Sequence, residues 1–432
     1  MGKSKFQLIL IFVFVACAFI GLAIFAGLIK LPAKSTKGVP GATGSVVMWG
    51  TIPQVMLSKP LEVFNQTNQS FKLSYVEKRP ETFDADIIEA LAEGTGPDLM
   101  LLPQDSLYRF RNTVFPIPYT TYLPETFRAT FITQADVLMA TKGYMGLPLF
   151  TDPMIMYYNP TLLETNGIPL PPTTWAQFLT LAPQITKKTT GGVVSRSAVA
   201  LGEFSNIDHS KGILSTLFIQ NGNKIVTLEN DFYRPQFSSN LSQSAAALAF
   251  YTQFADPTKA VYSWNKSLPS SLDMFTAGDL AFYFGYASDL SLISNKNPNL
   301  RFYIAKMPQP EGAATNLTFG NLTSVVISKT SKNLNTAYVA ASLMTSGTFA
   351  EQLATNLNLP PVRRTLLAQK PTNTYGPLLY DHALWSRSWI DPDKTKTDAI
   401  WAQMVKDVTS GRSSVTASVS FADSQMSGIL NN

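Results

Sequence analysis

The chain is poor in the side chains on which most enzymes and metalloproteins depend. Among its 432 residues there is one cysteine, Cys17, and there are two histidines, His209 and His382. A single thiol excludes an internal disulfide framework and a thiolate cluster. Two histidines exclude a His-rich zinc site and leave little for a His-based catalytic unit. G-x-S-x-G, H-E-x-x-H and G-x-x-x-x-G-K-[ST] are all missing, so no nucleophile elbow, zincin helix or phosphate loop is encoded. Charge is sparse as well, at 15% of residues with a formal net of +5. Lys187-Lys188 and Arg363-Arg364 are the longest basic runs, and no basic stripe interleaved with aromatics points to nucleic acid. No enzymatic activity, cofactor or metal is expected. A glycosidase built on two carboxylates is the enzyme reading these absences leave open.

What is present begins with an uncharged apolar run, Phe6 to Ile29, in which Gln7 is the polar exception. As a helix, Leu8 to Ile29 extends about 33 Å, enough for a hydrocarbon core of about 30 Å. Lys3 and Lys5 precede it, which keeps the N-terminus cytoplasmic and everything after the run outside. Residues 1–30 therefore read as a single-pass membrane anchor with the C-terminal domain extracytoplasmic. Residues 31–44, rich in Pro, Gly, Ser and Thr, read as a flexible linker. A cleaved signal peptide would have a shorter apolar core followed by a small-residue site. A lipidated Cys17 would be followed by polar residues, and here the chain stays apolar. The remaining body, hydrophobic and free of cysteine, suits a bacterial or archaeal surface. Its length calls for two cores, since single cores stop growing near about 250–300 residues.

Periodicity fills in the elements. Val46–Trp49, Phe71–Val76, Leu99–Leu102, Met154–Tyr158, Leu280–Phe284 and Ser324–Ser328 read as strands. Pro60–Asn65, Phe83–Glu93, Pro172–Lys188, Ile213–Ile219 and Ser244–Phe254 read as helices, and two more, split around Ser410-Gly411, fill Ala399–Leu430. Strand–helix alternation predicts an α/β fold with mostly parallel sheets.

Several segments together carry a family likeness. They are Val47-Met48-Trp49-Gly50-Thr51, Gly94-Thr95-Gly96-Pro97-Asp98-Leu99 and Gly146-Leu147-Pro148-Leu149-Phe150-Thr151-Asp152 with Tyr157-Tyr158-Asn159-Pro160. Asn166-Gly167-Ile168-Pro169, Phe275 to Tyr286, Gly320-Asn321-Leu322 and Pro360-Pro361-Val362 continue the series. In this order, from about Ser45 to Leu430, the chain resembles the extracellular solute-binding proteins of ATP-driven (ABC) importers, of the maltose-binding-protein-like class. The resemblance implies a type II periplasmic-binding-protein fold, two Rossmann-like α/β lobes joined by a hinge that the chain crosses three times. Lobe 1 would be 45–149 plus 319–370, and lobe 2 would be 150–318 plus 371–432. It also implies capture of a small solute, a carbohydrate first of all, in the interlobe cleft by a monomer that delivers it to permease subunits. A bilobed surface sensor or adhesion module is the rival reading.

Ligands of such sheets sit beyond the carboxyl ends of strands, and sugars are read by aromatic faces and polar acceptors. The candidates at such ends are Trp49 and Thr51 after the first strand, Gln104 and Asp105 after Leu99–Leu102, and Asp152 with Tyr158 in the crossing strand. Asn206 lies with Phe204 in a polar loop, Trp264 in a loop expected to be exposed, and Tyr286 beyond Phe284-Gly285, whereas Tyr283 reads as core. Asn321 follows the return crossing. Trp385 and Trp389 lie four apart, on one helical face if that stretch is helical, with one reaching the cleft and the other packing. His209 reads as an exposed loop residue, and Arg363-Arg364 as a surface turn. The anchor reading carries a direct check: fractionated cells should hold the mature chain in the membrane with residues 1–40 attached, and a soluble mature form lacking them would refute it.

Overall fold

The computed structural model describes residues 41–430. The expected anchor, residues 1–30, and all but the last part of the linker lie outside the described residues. Among the described residues, no helix is long and apolar enough to cross a membrane.

The chain enters with β1 (Gly44–Gly50), α1 (Gln54–Thr67), β2 (Phe71–Glu77), α2 (Phe83–Glu93), β3 (Leu99–Pro103) and α3 (Gln104–Phe110). β1 lies between β2 and β3 and is parallel to both. Leu99 to Leu102 are all buried, as a strand covered on both faces requires. α1 starts at Gln54 rather than at Pro60, because Leu57 adds a buried apolar position one turn earlier. Pro60 sits inside it and removes one backbone donor. α2 stops at Gly94, which takes the left-handed conformation a C-cap favours.

Next comes β4 (Leu147–Tyr158), longer than periodicity suggests and almost wholly buried. It leads to α4 (Trp175–Ile185), β5 (Val194–Val199), α5 (Ser210–Gln220) and a hairpin of β6 (Val226–Glu229) and β7 (Phe232–Pro235). α4 opens with Gln177 Oε1 accepting from the backbone N–H groups of Thr173 and Thr174 at 2.7 and 3.2 Å. It ends at Ile185, short of the expected Lys188, because Lys187-Lys188 instead pair with the edge of β5. Then follow α6 (Leu241–Thr252), α7 (Ser271–Ala277), β8 (Leu280–Tyr286), α8 (Asp289–Lys296), β9 (Thr318–Ile327), α9 (Leu334–Met344), α10 (Thr348–Leu357), α11 (Gly376–Trp385), α12 (Lys394–Thr409) and α13 (Val415–Leu430).

The main path of the sheet runs β2–β1–β3–β9–β4–β8–β5, with Lys187-Lys188 at its far edge. Two strands, β4 and β9, tie its halves together. β9 pairs antiparallel with β3 through Leu99–Pro103 and with β4 through Leu147–Pro153. The outer part of β4, Met154 to Tyr158, pairs antiparallel with β8. β4 thus starts in one half and ends in the other. A third passage brings Ser386-Arg387 back alongside Thr318 and Phe319 of β9. Helices cover the sheet: α1 packs on β2, α9 on β1 and β9, α4 on β5, and α7 on β8, while α12 and α13 pack on each other and on α6. The result is an α/β architecture, as the alternation predicts, but its sheet is mixed and not mostly parallel: β1 runs parallel to β2 and β3 and β8 to β5, whereas β9 and β4 pair antiparallel with each other and with β3 and β8, because the chain crosses there between the halves.

His382 shows how tightly α11 is held against this frame. It is fully buried, its Nε2 accepts from the Met307 N–H at 3.0 Å, and its Nδ1 lies 2.8 Å from the Leu378 carbonyl, which requires the proton on Nδ1. Burial pushes its pKa from 6.5 down to about 4. Between those values the unfolded chain binds the proton and the folded one does not, so stability falls as pH drops through this window, by about 3 kcal/mol if this group acts alone. Urea unfolding of wild type and His382→Gln should show the stability difference between them fall by about that amount from pH 7 to pH 4, a comparison in which groups common to both chains, Asp152 among them, cancel.

Candidate binding cavity

At the centre of the molecule, where β3, β8 and β9 deliver their ends or bends, lies a cavity of ≈ 260 Å³. One wall comes from Gln104 and Asp105 of α3, one from Phe204, His209, Lys211 and Gly212 at the start of α5, and one from Tyr286. Phe319 and Asn321 of β9 contribute the back. Trp389, Asp391, Lys394 and Asp398, from the third passage and α12, close it.

The polar groups are pinned by the backbone that carries them. Gln104, 1% exposed, donates from Nε2 to Asn321 Oδ1 at 3.1 Å and accepts at Oε1 from the Leu322 N–H at 2.6 Å. That double bond of Gln104 to β9 fixes the Asn321 amide at the cavity wall. Trp389 is buried, with its indole N–H donating to Ser215 Oγ at 3.1 Å and its ring stacked near Trp401. Gly212 allows the Tyr286 ring to approach α5, since a Cβ there would lie 2.6 Å from the Tyr286 hydroxyl.

His209 is not the exposed loop residue the sequence suggests. It caps α5 in the left-handed conformation, φ 58°, with its ring edge-to-face on Tyr286 at 4.7 Å. Its Nε2 lies 2.8 Å from Asp289 Oδ2. That carboxylate oxygen also accepts from the Tyr283 hydroxyl at 2.9 Å and the Tyr286 N–H at 3.2 Å. Burial alone would lower the His209 pKa, but the hydrogen bond and charge of Asp289, with Asp208 and Asp152 behind it, outweigh burial and raise it. Gly285 makes room for this arrangement: a Cβ there would lie 2.3 Å from Asp289 Oδ2.

The charges on the walls are paired, with one ammonium shared between two carboxylates. Lys394 lies 3.5 Å from Asp105, and Lys211 lies 2.8 Å from Asp391 and 2.5 Å from Asp398. Burial works against the Lys211 ammonium, yet Asp391 and Asp398 overcome it and raise its pKa. Among the described residues no group of three or more His, Cys, Asp or Glu side chains is arranged to hold a metal ion.

Of the residues the sequence singled out, Gln104, Asp105, Tyr286, Asn321 and Trp389 come together on this cavity. The others lie elsewhere. Trp49 is half-buried beneath the Lys78 ammonium, 3.9 Å from its ring centre, and half-buried Thr51 follows β1 outside the cavity lining. Asp152 is paired with Asn321 across the β4–β9 ladder but does not line the cavity; it accepts from the Ser288 N–H at 3.0 Å, and burial pushes its pKa up to about 6. Tyr158 sits at the outer end of β4 against Tyr303. Trp264, expected in an exposed loop, is fully buried, its indole N–H donating to Asn206 Oδ1. Asn206 in turn braces the loop by donating to the Asn265 and Leu268 carbonyls. Trp385 packs on His382, with Lys306 over its ring, so of the tryptophan pair it is Trp389 that reaches the cavity. Sequence reasoning passed over His209, Lys211, Phe319, Asp391, Lys394 and Asp398. The run Asp391-Pro392-Asp393-Lys394, separated from Trp389 by Ile390 alone, was the available signal for part of this set.

Comparison with known proteins identifies a family and a fold. The family described as bacterial extracellular solute-binding protein matches residues 61–377. No curated protein matches in sequence. Among solved structures, a cyclo/maltodextrin-binding protein complexed with maltotetraose is similar with a TM-score of 0.72 at 15% identity, covering 90% of this chain and 97% of that one. A cyclic alpha-maltosyl-1,6-maltose binding protein from Arthrobacter globiformis reaches 0.72 at 13% identity, with 90% and 99% covered. A sugar-binding protein from Xanthomonas citri reaches 0.71 at 16% identity, with 90% and 97% covered.

Asp289 is the keystone of the His209 wall, which makes a direct test available. With two histidines in the chain, their ring resonances separate cleanly in a proton NMR titration. Asp289→Asn should lower the His209 pKa from its wild-type value and leave that of buried His382 in place.

Proposed function

Since the chain belongs to the bacterial extracellular solute-binding proteins, we propose that the central cavity captures a small uncharged carbohydrate and delivers it to the permease subunits of an ABC importer. The observation that carries this reading is the composition of the cavity walls. Four aromatic rings, Phe204, Tyr286, Phe319 and Trp389, line a space whose three carboxylates are engaged by two ammoniums, Asp105 by Lys394 and both Asp391 and Asp398 by Lys211. A polyhydroxylated ring needs aromatic faces for its C–H patches and amide or carboxylate acceptors for its hydroxyls, and Asn321, Gln104 and the outer oxygens of the aspartates offer these. The sugar-bound relatives of like fold favour the same solute class.

On this reading residues 45–149 with 319–370 form one lobe and 150–318 with 371–432 the other. Closure turns around the β4–β9 crossing. The Asp105–Lys394 pair then joins one lobe to the other at the mouth of the cavity. The protein acts as a binding module and not as a catalyst, held outside the membrane by residues 6–29.

A thermal-shift screen of the full-length chain against neutral mono-, di- and oligosaccharides is the test. At a hundredfold excess over Kd a true ligand adds about 2.7 kcal/mol to stability, a shift of a degree or more. Phe204→Ala and Asn321→Ala should each weaken binding about tenfold or more, consistent with about 1.4 kcal/mol per tenfold, while Tyr158→Ala should not. Silence across the saccharides would overturn the substrate, and hydrolysis of any of them would overturn the binding-module reading.

A further inference from the structure

A second cavity, of ≈ 470 Å³, lies along α3 past Asp105. One wall carries Tyr108, Arg111, Lys142 and Lys329. Another carries Asp231, Phe232 and Tyr233 of the β6–β7 hairpin, with Leu430 of α13. The walls touch: the Tyr108 hydroxyl donates to the Leu430 carbonyl at 2.8 Å, and the Tyr233 ring stands edge-on to Tyr108 at 5.4 Å. On the lobe division proposed above, the first wall belongs to one lobe and the second to the other.

The balance of charge here is positive. Three cations meet one carboxylate, Asp231, and among the described residues none of the four forms an ion pair. In the central cavity, by contrast, Lys211 and Lys394 are both engaged by aspartates. Arg111 lies over the Tyr108 ring, 3.8 Å from its centre, and gives one N–H to the Tyr108 carbonyl at 2.8 Å. Lys329 gives one to the Asn112 carbonyl at 2.7 Å. A guanidinium has five N–H groups and an ammonium three, so most of these donors have no partner in the protein. The Tyr233 hydroxyl is also without a partner although it is buried, a state native structures seldom leave uncompensated. Beside these groups the lining is apolar, with Leu228 and Met145 and with Phe232, which is 62% exposed.

We propose that this cavity is a second ligand site, for a small organic anion with a phosphate or carboxylate head and a ring for a body. The head takes the free donors of Arg111, Lys142 and Lys329 in charge-assisted hydrogen bonds without breaking an existing ion pair. The ring packs on Phe232 and Leu228. Asp231 opposes the head and limits the affinity. Because the walls come from different stretches of the chain, an occupant bridges them. Scattered surface cations would bind an anion whatever its body and would gain nothing from a ring. The site does not depend on which solute the central cavity takes.

Isothermal titration of the full-length protein at low salt with phenyl phosphate, benzoate, inorganic phosphate and phenol is the test. Phenyl phosphate or benzoate should bind about tenfold or more tighter than inorganic phosphate and phenol, and the tighter of the two identifies the head. Arg111→Gln should weaken that ligand about tenfold or more, as loss of a hydrogen bond to a charged group does. Phe232→Ala should bring its affinity down toward that of inorganic phosphate. Asp231→Asn, which removes the opposing charge, should tighten it about twofold or more. Asn321→Ala, in the central cavity, should bind it as wild type does. Failure of both ring-bearing anions to bind, equal binding of inorganic phosphate, or binding that survives Arg111→Gln overturns the proposal. Loss in Asn321→Ala places the anion in the central cavity and also overturns it. If Arg111→Gln does not fold, the exposed Lys142 decides, and an unchanged affinity in Lys142→Gln overturns the site.

Discussion

The antiparallel pairing of Leu147–Pro153 with Gly320–Val325 is the constraint on which the rest of the molecule depends. Backbone hydrogen bonds in a buried ladder have no solvent to replace them, so this seam keeps its register while the elements on either side are free to diversify. On one side β9 adds, antiparallel, to the parallel strands β1, β2 and β3. On the other, β4 carries its remaining residues into pairing with β8. A β-bulge between Thr323 and Ser324 shifts the register within the seam, and such a bulge bends and twists a strand locally. Asn321 lies within this seam, and Phe319 two residues before it on the same strand, so the strand that joins the halves also lines the cavity.

The cavity inherits its order from that seam. Gln104 is held to β9 by two hydrogen bonds, one of them to the Asn321 side chain, which transmits the position of the ladder directly to a polar wall. Across the space, Asp289 collects the His209 ring, the Tyr283 hydroxyl and the Tyr286 backbone on one carboxylate oxygen. Polar networks of this kind are costly if half satisfied and rigid when complete. On the proposed reading, fixed amides, fixed rings and paired charges make a site that is largely formed before a solute arrives, which limits the ordering cost of binding.

Much of the fold was legible in advance because it rests on local signals. Phe83–Glu93 alternates at helical spacing and ends at a glycine, and the helix occupies those same residues. Leu99 to Leu102 form an unbroken apolar run, and they become a strand buried on both faces. Boundaries failed where neighbours decided them. Met154–Tyr158 is only the visible part of β4, since its first half is stabilised by partners in β9 that lie far along the chain. Lys187-Lys188 continue a helical pattern in sequence, yet the open edge of β5 draws them into pairing.

For the cavity, the sequence by itself pointed to residues that follow strands, Gln104 and Asp105 after β3 and Tyr286 at the end of β8, while Asn321 was marked by its place at the return crossing. A strand direction, read locally, says which end of a sheet a residue will reach. It also determined what the chain does without, since one cysteine and two histidines bound the chemistry whatever the fold. Only the tertiary structure decided that Trp264 is buried while Trp389 reaches the cavity, and that His209 turns inward onto Asp289. It alone brought Lys211 to Asp391 and Asp398, which lie far along the chain from it. No local pattern records such a meeting, because the energy that selects it comes from pairing charges that the fold has already withdrawn from water.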